Sequence, residues 1–323
     1  MTVPPKDKLA ICFAHVAYRF EAPFAARKSG IQSIHVASRE ALDAKIADAD
    51  VLVISGLWHN GVLDRTRRLS FIQSIGAGVD QFPQDILRAR GIRLASARGV
   101  NERAVAEHAM ALMLALSRKI PEGRDNQKRH HWRGMIGDAS KREDELAGKT
   151  LLIVGIGRIG GRLARIAKGF ELKVVGLRRD AQAGTNGADA VHPMSALEKL
   201  LPEADIVALT CPLTPETQGL IGARALSLMK PTAHLVNVAR GRVVDEAALI
   251  AALKANRIAA AALDVTVEEP LPAASPLWDL ENVLITPHTA GETRRYEDNV
   301  IDVLLENLGR LWRGESALLN QVV

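Results

Sequence analysis

Short apolar runs rich in β-branched residues recur along the first hundred positions: Leu9–Ala14, Ile31–Ala37, Val51–Ser55, Phe71–Ile75 and Ile92–Ala97. Mixed segments such as Ala41–Ala49 and Gln84–Arg90, with apolar residues at helical spacing, fall between them. Such alternation predicts a parallel sheet covered by helices, because strands buried on both faces read as continuous apolar runs. The stretch 101–119 breaks the rhythm. Within it, Ala104–Leu116 is apolar on nearly every face except at Glu107 and His108, which predicts a buried helix connecting two domains. Pro121 and Gly123 are expected to end that helix. After the polar, irregular segment His130–Leu146, a second series begins at Lys149, with strands expected at Thr150–Val154, Lys173–Leu177, Ile206–Thr210, His234–Val238, Ala260–Val265 and Val283–Thr286. A last amphipathic helix spans about Glu297–Trp312 and is expected to return to the first domain. The pattern therefore predicts an α/β protein with two doubly wound parallel-sheet domains. The first comprises 1–100 and 290–323, and the second, 101–289, is inserted in it.

Composition adds bounds to this picture. With 323 residues, 47% of them apolar, the chain can bury two cores. A net charge of +5 is spread along the chain, and aromatics are scarce at 4%. A basic stripe interleaved with stacking platforms is therefore absent, and nucleic acid is not an expected partner. A positive field that draws in small anions is the expected consequence. No apolar run approaches the roughly 18 residues of a membrane span, and the opening residues lack the apolar core of a signal peptide. Cys12 and Cys211 lie far apart in strand contexts, which predicts no disulfide framework and a reducing, cytoplasmic setting.

The turn Gly155-Ile-Gly-Arg-Ile-Gly160 follows the strand 150–154 and opens the helical run Gly161–Lys168. In that context one glycine makes the tight turn, one lets the backbone approach a pyrophosphate, and one lets helix and strand pack closely. The amides of the helix N-terminus then face the phosphates. This is the Rossmann arrangement for a dinucleotide. The next strand ends at Leu177, followed by Arg178 and Arg179. An NAD-selective site places a carboxylate there to accept from the ribose 2′-hydroxyl. Two arginines suit a 2′-phosphate instead, through charge-assisted bonds. NADP is therefore the expected cofactor, with NAD as the alternative if Asp180 supplies the acid.

Three later strands each end in a polar side chain. Arg240 follows the strand 235–238 within Ala239-Arg-Gly241, Glu269 lies in Ala262-Leu-Asp-Val-Thr-Val-Glu-Glu-Pro270, and His288 lies in Leu284-Ile-Thr-Pro-His-Thr-Ala-Gly291. The carboxyl ends of parallel strands form the ligand crevice, so a cation, an acid and an imidazole are delivered to one place. A carboxylate beside an imidazole favours its charged form and fixes its tautomer, giving a general acid for a ketone and a general base for an alcohol. Among nine histidines, His288 alone combines a strand end with a carboxylate partner. His108, on the expected buried helix, reads as a satisfied core histidine, and His130 and His131 as solvated. Glu268 and Arg242 read as the solvated neighbours of Glu269 and Arg240. Leu57 and Trp58, after the third strand, are expected to border a substrate side chain, although Trp58 suits core packing equally well.

These residues resemble the D-isomer-specific 2-hydroxyacid dehydrogenase family, of the glyoxylate or hydroxypyruvate reductase type. The resemblance runs through Ser74-Ile-Gly-Ala-Gly-Val-Asp80, Val105-Ala-Glu-His108, the glycine turn, Pro212-Leu-Thr-Pro-Glu-Thr217, Asn237-Val-Ala-Arg-Gly241, Leu263-Asp-Val265 with Glu269-Pro270, and Pro287-His288. It implies a Rossmann cofactor domain inserted in a flavodoxin-like substrate domain, with Arg240, Glu269 and His288 as the catalytic set. It further implies that Asp264 binds the nicotinamide carboxamide and that amides near Ala77 and Gly78 hold the substrate carboxylate, as a glycine-rich turn can. Expected cofactor contacts are thus Gly155, Gly157, Arg158, Ile159, Gly160, Arg178, Arg179, Cys211, Pro212, Val238, Ala239, Asp264, His288 and Gly291. Expected substrate contacts are Leu57, Trp58, Gly76, Ala77, Gly78, Arg240 and His288, with no metal required. The implied partner is a small 2-oxo or 2-hydroxy acid. The implied assembly is a homodimer through the cofactor domains, with Trp132 placed near the partner's site. Leu177 departs from the Asp that many NAD-using relatives carry. Glu269 argues against the formate dehydrogenase branch, which carries glutamine there. An end at Val323 speaks against a C-terminal regulatory domain. A dinucleotide-sensing binding protein of corepressor type is the competing class.

Overall fold

The computed structural model describes residues 3–323. Two compact units are present. One runs to Asn101 and resumes over Thr293–Val323, and the other is Glu102–Glu292.

The first unit begins with β1 (Ala10–Ala14), α1 (Glu21–Ala26), β2 (Gln32–Val36), α2 (Arg39–Lys45), β3 (Val51–Ile54), β4 (Phe71–Ser74), α3 (Gln84–Ala89) and β5 (Arg93–Ala95). Its five-stranded parallel sheet has the order β2-β1-β3-β4-β5, with β3 pairing β1 and β4 in the register Ala14↔Ile54↔Ser74. The sheet is buried on both faces. Phe13, Phe20, Phe71 and Ile75 pack on one side, and Leu42, Leu52, Ile72 and Leu87 on the other. Each such side chain contributes about 1.5–3 kcal/mol relative to exposure.

The second unit opens with α4 (Glu102–Ser117) and α5 (Ile120–Lys128). There follow β6 (Thr150–Val154), α6 (Arg158–Lys168), β7 (Lys173–Arg178), β8 (Ala190–Pro193), α7 (Leu197–Leu200), β9 (Ile206–Leu209), α8 (Ala223–Leu228), β10 (His234–Asn237), α9 (Glu246–Lys254), β11 (Ala260–Leu263) and β12 (Val283–Ile285). Its sheet order, β12-β11-β10-β9-β6-β7-β8, is all parallel and reverses between β6 and β9. That is the doubly wound dinucleotide-binding topology. The chain then re-enters the first unit as α10 (Tyr296–Trp312). There the fully buried Asn307 donates to Gln73 Oε1 at 3.0 Å and accepts from the Leu319 amide at 2.7 Å. A buried amide satisfied at both ends fixes the helix on β4.

Two expectations from the sequence change. The helix 102–117 is not buried all round: Val105, Ala106, Ala109, Met110, Leu112 and Met113 are buried, while Glu107 and Ala111 are exposed. Small residues allow its close packing on α6. Pro121 does not end a helix either. The break falls at Lys119, whose φ is +50°, and Pro121 sits in the first turn of α5, where a missing N–H costs nothing. The two sheets also share a device at their amino edges. Asp50 accepts from the Ala10 amide and the Arg68 guanidinium, and Asp205 accepts from the Thr150 amide and Lys230. In each case the acid just before one strand caps the start of its neighbour.

Candidate active site

The glycine turn lies where the strand order of the second unit reverses. A side chain on Gly155, whose φ is +97°, would come within 2.5 Å of the Cys211 backbone at the end of β9. One on Gly160 would come within 2.8 Å of the Gly155 carbonyl. These two glycines are therefore required by packing of strand, turn and helix. Gly157 caps α6 and would meet nothing within 4 Å. Open space over a helix N-terminus, with Arg158 exposed in its first turn, is what a pyrophosphate needs. The residues present fit a dinucleotide.

Further along the same carboxyl edge, β10 delivers Arg240. Asn237, 1% exposed, accepts from the Ala239 amide and donates to the Arg240 carbonyl at 3.1 Å. That clamp turns the Arg240 side chain out into solvent, with Nη1 donating to the Ala239 carbonyl at 2.6 Å. Gly241 is buried so closely on the end of β11 that a side chain there would fall 2.0 Å from the Thr266 carbonyl group. The arginine turn is thereby fixed against the acid loop. Thr266 in turn donates its amide to Glu269 Oε1 at 3.1 Å and its hydroxyl to the Glu268 carbonyl at 2.7 Å.

Glu269 Oε2 lies 2.6 Å from His288 Nδ1. A carboxylate only accepts, so Nδ1 carries a proton and Nε2 is the nitrogen available to give or take one. The side chains of His288 and Glu269 are 47% and 36% exposed, so the imidazole is accessible. His288 has φ +55°, a left-handed conformation that costs a non-glycine residue about 1 kcal/mol or more. Its surroundings hold it there. Its amide donates to the Asp264 carbonyl at 2.8 Å, and the next two amides, Thr289 and Ala290, donate to the Asp264 carboxylate at 3.0 Å each. The Thr286 hydroxyl donates to the same carboxylate at 2.6 Å and therefore accepts from His108 Nε2 at 2.9 Å. His108 thus has the satisfied hydrogen bond expected of it, with its side chain half-buried. Asp264, 2% exposed, organises the loop that presents His288. Sequence reasoning passed over Asn237, Thr266 and Thr286 as organisers; their signal is a short polar residue at or just past a strand end.

The remaining expected residues fall into distinct settings. Val238, Ala239 and Cys211 are buried, Pro212 is exposed and Gly291 is half-buried. Burial pushes the Cys211 thiol up to about 11, so it is no nucleophile at neutral pH. Arg178 is half-buried, with Nη1 donating to the Ala183 and Gly184 carbonyls. Arg179 is exposed, and its charge helps to hold the Glu216 carboxyl below its usual range, behind the larger effects of hydrogen bonds from Thr214 and the Glu216 backbone. Asp180 accepts from the Gln182 amide at 3.0 Å, closing its own turn.

In the first unit, Leu57 and Trp58 are core residues, 6% and 7% exposed. The indole packs against Phe82 with centroids 4.8 Å apart and donates to Asn60 Oδ1. Of the two roles the sequence left open for Trp58, packing is the one seen. Gly76, Ala77 and Gly78 follow β4 in a bend without any left-handed φ, braced by the Ser74 hydroxyl on the Gly76 carbonyl at 3.0 Å. Among the described residues no group of three metal-ligating side chains occurs, and no helix is long and apolar enough to cross a membrane.

Comparison with known proteins gives the family. Residues 110–290 match the family model described as D-isomer specific 2-hydroxyacid dehydrogenase, NAD binding domain. A glyoxylate reductase from Korarchaeum cryptofilum is 36% identical over 88% of this chain and 87% of its own length. A D-3-phosphoglycerate dehydrogenase from Methanocaldococcus jannaschii is 37% identical over 87% of this chain, which spans only 53% of that relative. The crystal structure of an NADPH-dependent glyoxylate/hydroxypyruvate reductase from Sinorhizobium meliloti superposes with a TM-score of 0.83 at 26% identity, covering 98% of each chain. The chain belongs to the D-isomer specific 2-hydroxyacid dehydrogenase family, a family of NAD(P)-dependent oxidoreductases.

Proposed function

We propose that this protein reduces small 2-oxo acids to D-2-hydroxy acids with NADPH, glyoxylate and hydroxypyruvate being the leading substrates. The observation that carries the reading is the 2.6 Å contact between His288 Nδ1 and Glu269. It leaves His288 Nε2 to protonate a carbonyl oxygen, or to accept the proton of an alcohol in the reverse direction. Arg240 grips the substrate carboxylate and polarises the neighbouring carbonyl. The amides of Gly76, Ala77 and Gly78 supply a second handle for that carboxylate. When bound, the nicotinamide supplies the hydride. Gly155, Gly157, Arg158, Ile159 and Gly160 hold its pyrophosphate. Cys211, Pro212, Val238, Ala239, Asp264 and Gly291 line its path along the strand ends.

NADP is favoured over NAD because the end of β7 offers two guanidinium groups, while Asp180 is engaged in its own turn. Arg179 is the more available of the two, since Arg178 already donates to loop carbonyls. The assembly is a homodimer through the second unit, where Ile120, Trp132 and Met135 are exposed at 59%, 96% and 102%. Such apolar side chains on one segment suit an interface core, and the chain acts in the cytoplasm.

A panel of 2-oxo acids, run with both reduced cofactors, tests the reading. NADPH consumption with glyoxylate or hydroxypyruvate is expected, and Arg179→Ala should lower kcat/KM for NADPH about ten- to a hundredfold, as loss of a charge-assisted bond does, with Arg178→Ala costing less. NADPH usage left intact in both variants would remove the phosphate-binding role. Absence of turnover would favour the dinucleotide-sensing binding protein.

A further inference from the structure

The strand order of the first unit reverses between β1 and β3, so its own ligand crevice lies beyond the carboxyl ends of those two strands. On the β3 side Ser55 and Gly56 follow the strand, half-buried and exposed, and the next two residues, Leu57 and Trp58, are withdrawn into the core. On the β1 side the first residue past the strand is His15, which is half-buried. Its amide donates to the Val36 carbonyl at 3.1 Å. Its Nδ1 accepts from the amides of Ala17 at 3.1 Å and Tyr18 at 2.8 Å. A nitrogen that accepts carries no proton, so the proton of the neutral ring is fixed on Nε2. Burial keeps the ring neutral by lowering its pKa, the main effect, with Glu297 opposing and Arg19 assisting. His15 is therefore an N–H donor of defined direction.

The ring is also held flat. It stacks on Tyr18 with centroids 4.4 Å apart and an interplanar angle of 11°. Tyr18 stacks on Tyr296 at 4.7 Å, and the Tyr296 hydroxyl donates to the Ile75 carbonyl at 3.0 Å. Ile75 immediately precedes the Gly76–Gly78 bend. One aromatic stack thus connects the end of β1 with the bend assigned to the substrate carboxylate. Two strand spacings separate those points, about 10 Å. A three-carbon acid lying over β3, met by an imidazole extending from β1, spans that interval, whereas a two-carbon acid has no atom to offer His15.

We infer that His15, braced by Tyr18 and Tyr296, is a specificity-determining residue that donates from Nε2 to a hydroxyl or carbonyl oxygen on C3 of the substrate. The favoured class is then 2-oxo acids bearing an oxygen at C3, over aliphatic 2-oxo acids of equal size. This rests on the reductase reading above and adds a donor in the first unit to it. A neutral hydrogen bond of this kind is worth about tenfold in discrimination.

The test compares hydroxypyruvate with 2-oxobutyrate, which replaces the hydroxyl by a methyl group, and uses glyoxylate to register any loss common to all substrates. His15→Phe keeps a flat ring and removes the donor, while His15→Asn keeps an acceptor for the Ala17 and Tyr18 amides. The native chain should prefer hydroxypyruvate over 2-oxobutyrate, and His15→Phe should lower that kcat/KM ratio about tenfold. His15→Asn should lower it as well, because its shorter side chain stops short of C3. An unchanged ratio in both variants, or an equal loss for all three acids, overturns the inference. Failure of the native chain to reduce any 2-oxo acid is a different result, which overturns the reductase reading and this inference with it.

Discussion

The carboxyl edges of the two sheets are built on opposite plans. In the second unit the side chains proposed for catalysis, Arg240, Glu269 and His288, are charged or polar and open to solvent, and buried or half-buried polar residues behind them set their directions. Asn237 clamps the arginine turn, Thr266 holds the acid, and Asp264 with Thr286 and His108 holds the imidazole loop. In the first unit the corresponding edge has apolar residues drawn into the core, a bend of glycines, and an aromatic stack ending in His15. The difference fits the tasks proposed for the two edges. Moving a proton requires an ionisable group held in one geometry, which needs a network with every member satisfied. Recognising a small acid requires backbone amides and shape, which glycine and packed rings supply. Stability is invested differently too: the second edge tolerates a left-handed histidine, while no residue of the Gly76–Gly78 bend is strained.

Substitutions at the second edge should cost far more than any at the first. His288→Gln removes the proton donor and should lower kcat for reduction by about a thousandfold, within the range of general acid catalysis. If steady-state assay showed a loss no larger than for His15→Phe, the division between chemical and recognition edges would fail. Asp264→Asn is the next largest. An amide cannot accept from Thr286, Thr289 and Ala290 together, so the His288 loop should loosen, with a loss of about 1–3 kcal/mol in stability and a fall in kcat/KM of roughly ten- to a hundredfold. Chemical denaturation and kinetics on the same sample check both. An Asp264→Asn protein of native stability and activity would show that the loop needs no such anchor. Smallest is the expected tenfold change in substrate preference on replacing His15, which sharpens the comparison by touching recognition alone.

Much of this was legible in the sequence because it rests on local pattern. Buried parallel strands are continuous apolar runs, so those of the second unit were expected within a residue or two of β6, β7, β9, β10, β11 and β12, and the three polar strand ends stood out against them. Strand β8 was not, since Ala190–Pro193 lies at the sheet edge, half of it polar or proline, and an edge strand needs no apolar run. The break at Lys119 depends on one left-handed residue that no composition marks. What the sequence could not show was which polar residues near strand ends face inward. Thr266, Thr286 and Asn237 acquire their roles only when β10, β11 and β12 lie side by side. His15 was overlooked because its strand was judged for packing, and its defining bonds come from the amides of the following turn.

The central claim is that Glu269 and His288 act as one proton-transfer unit. A double-mutant cycle on kcat for 2-oxo acid reduction, with Glu269→Gln, His288→Gln and the pair, tests it most directly. If the two act together, the double variant should be no slower than His288→Gln alone, because a carboxylate without its imidazole has nothing left to contribute. Losses that simply multiply would mean that the two residues work independently and that their 2.6 Å contact is incidental to catalysis.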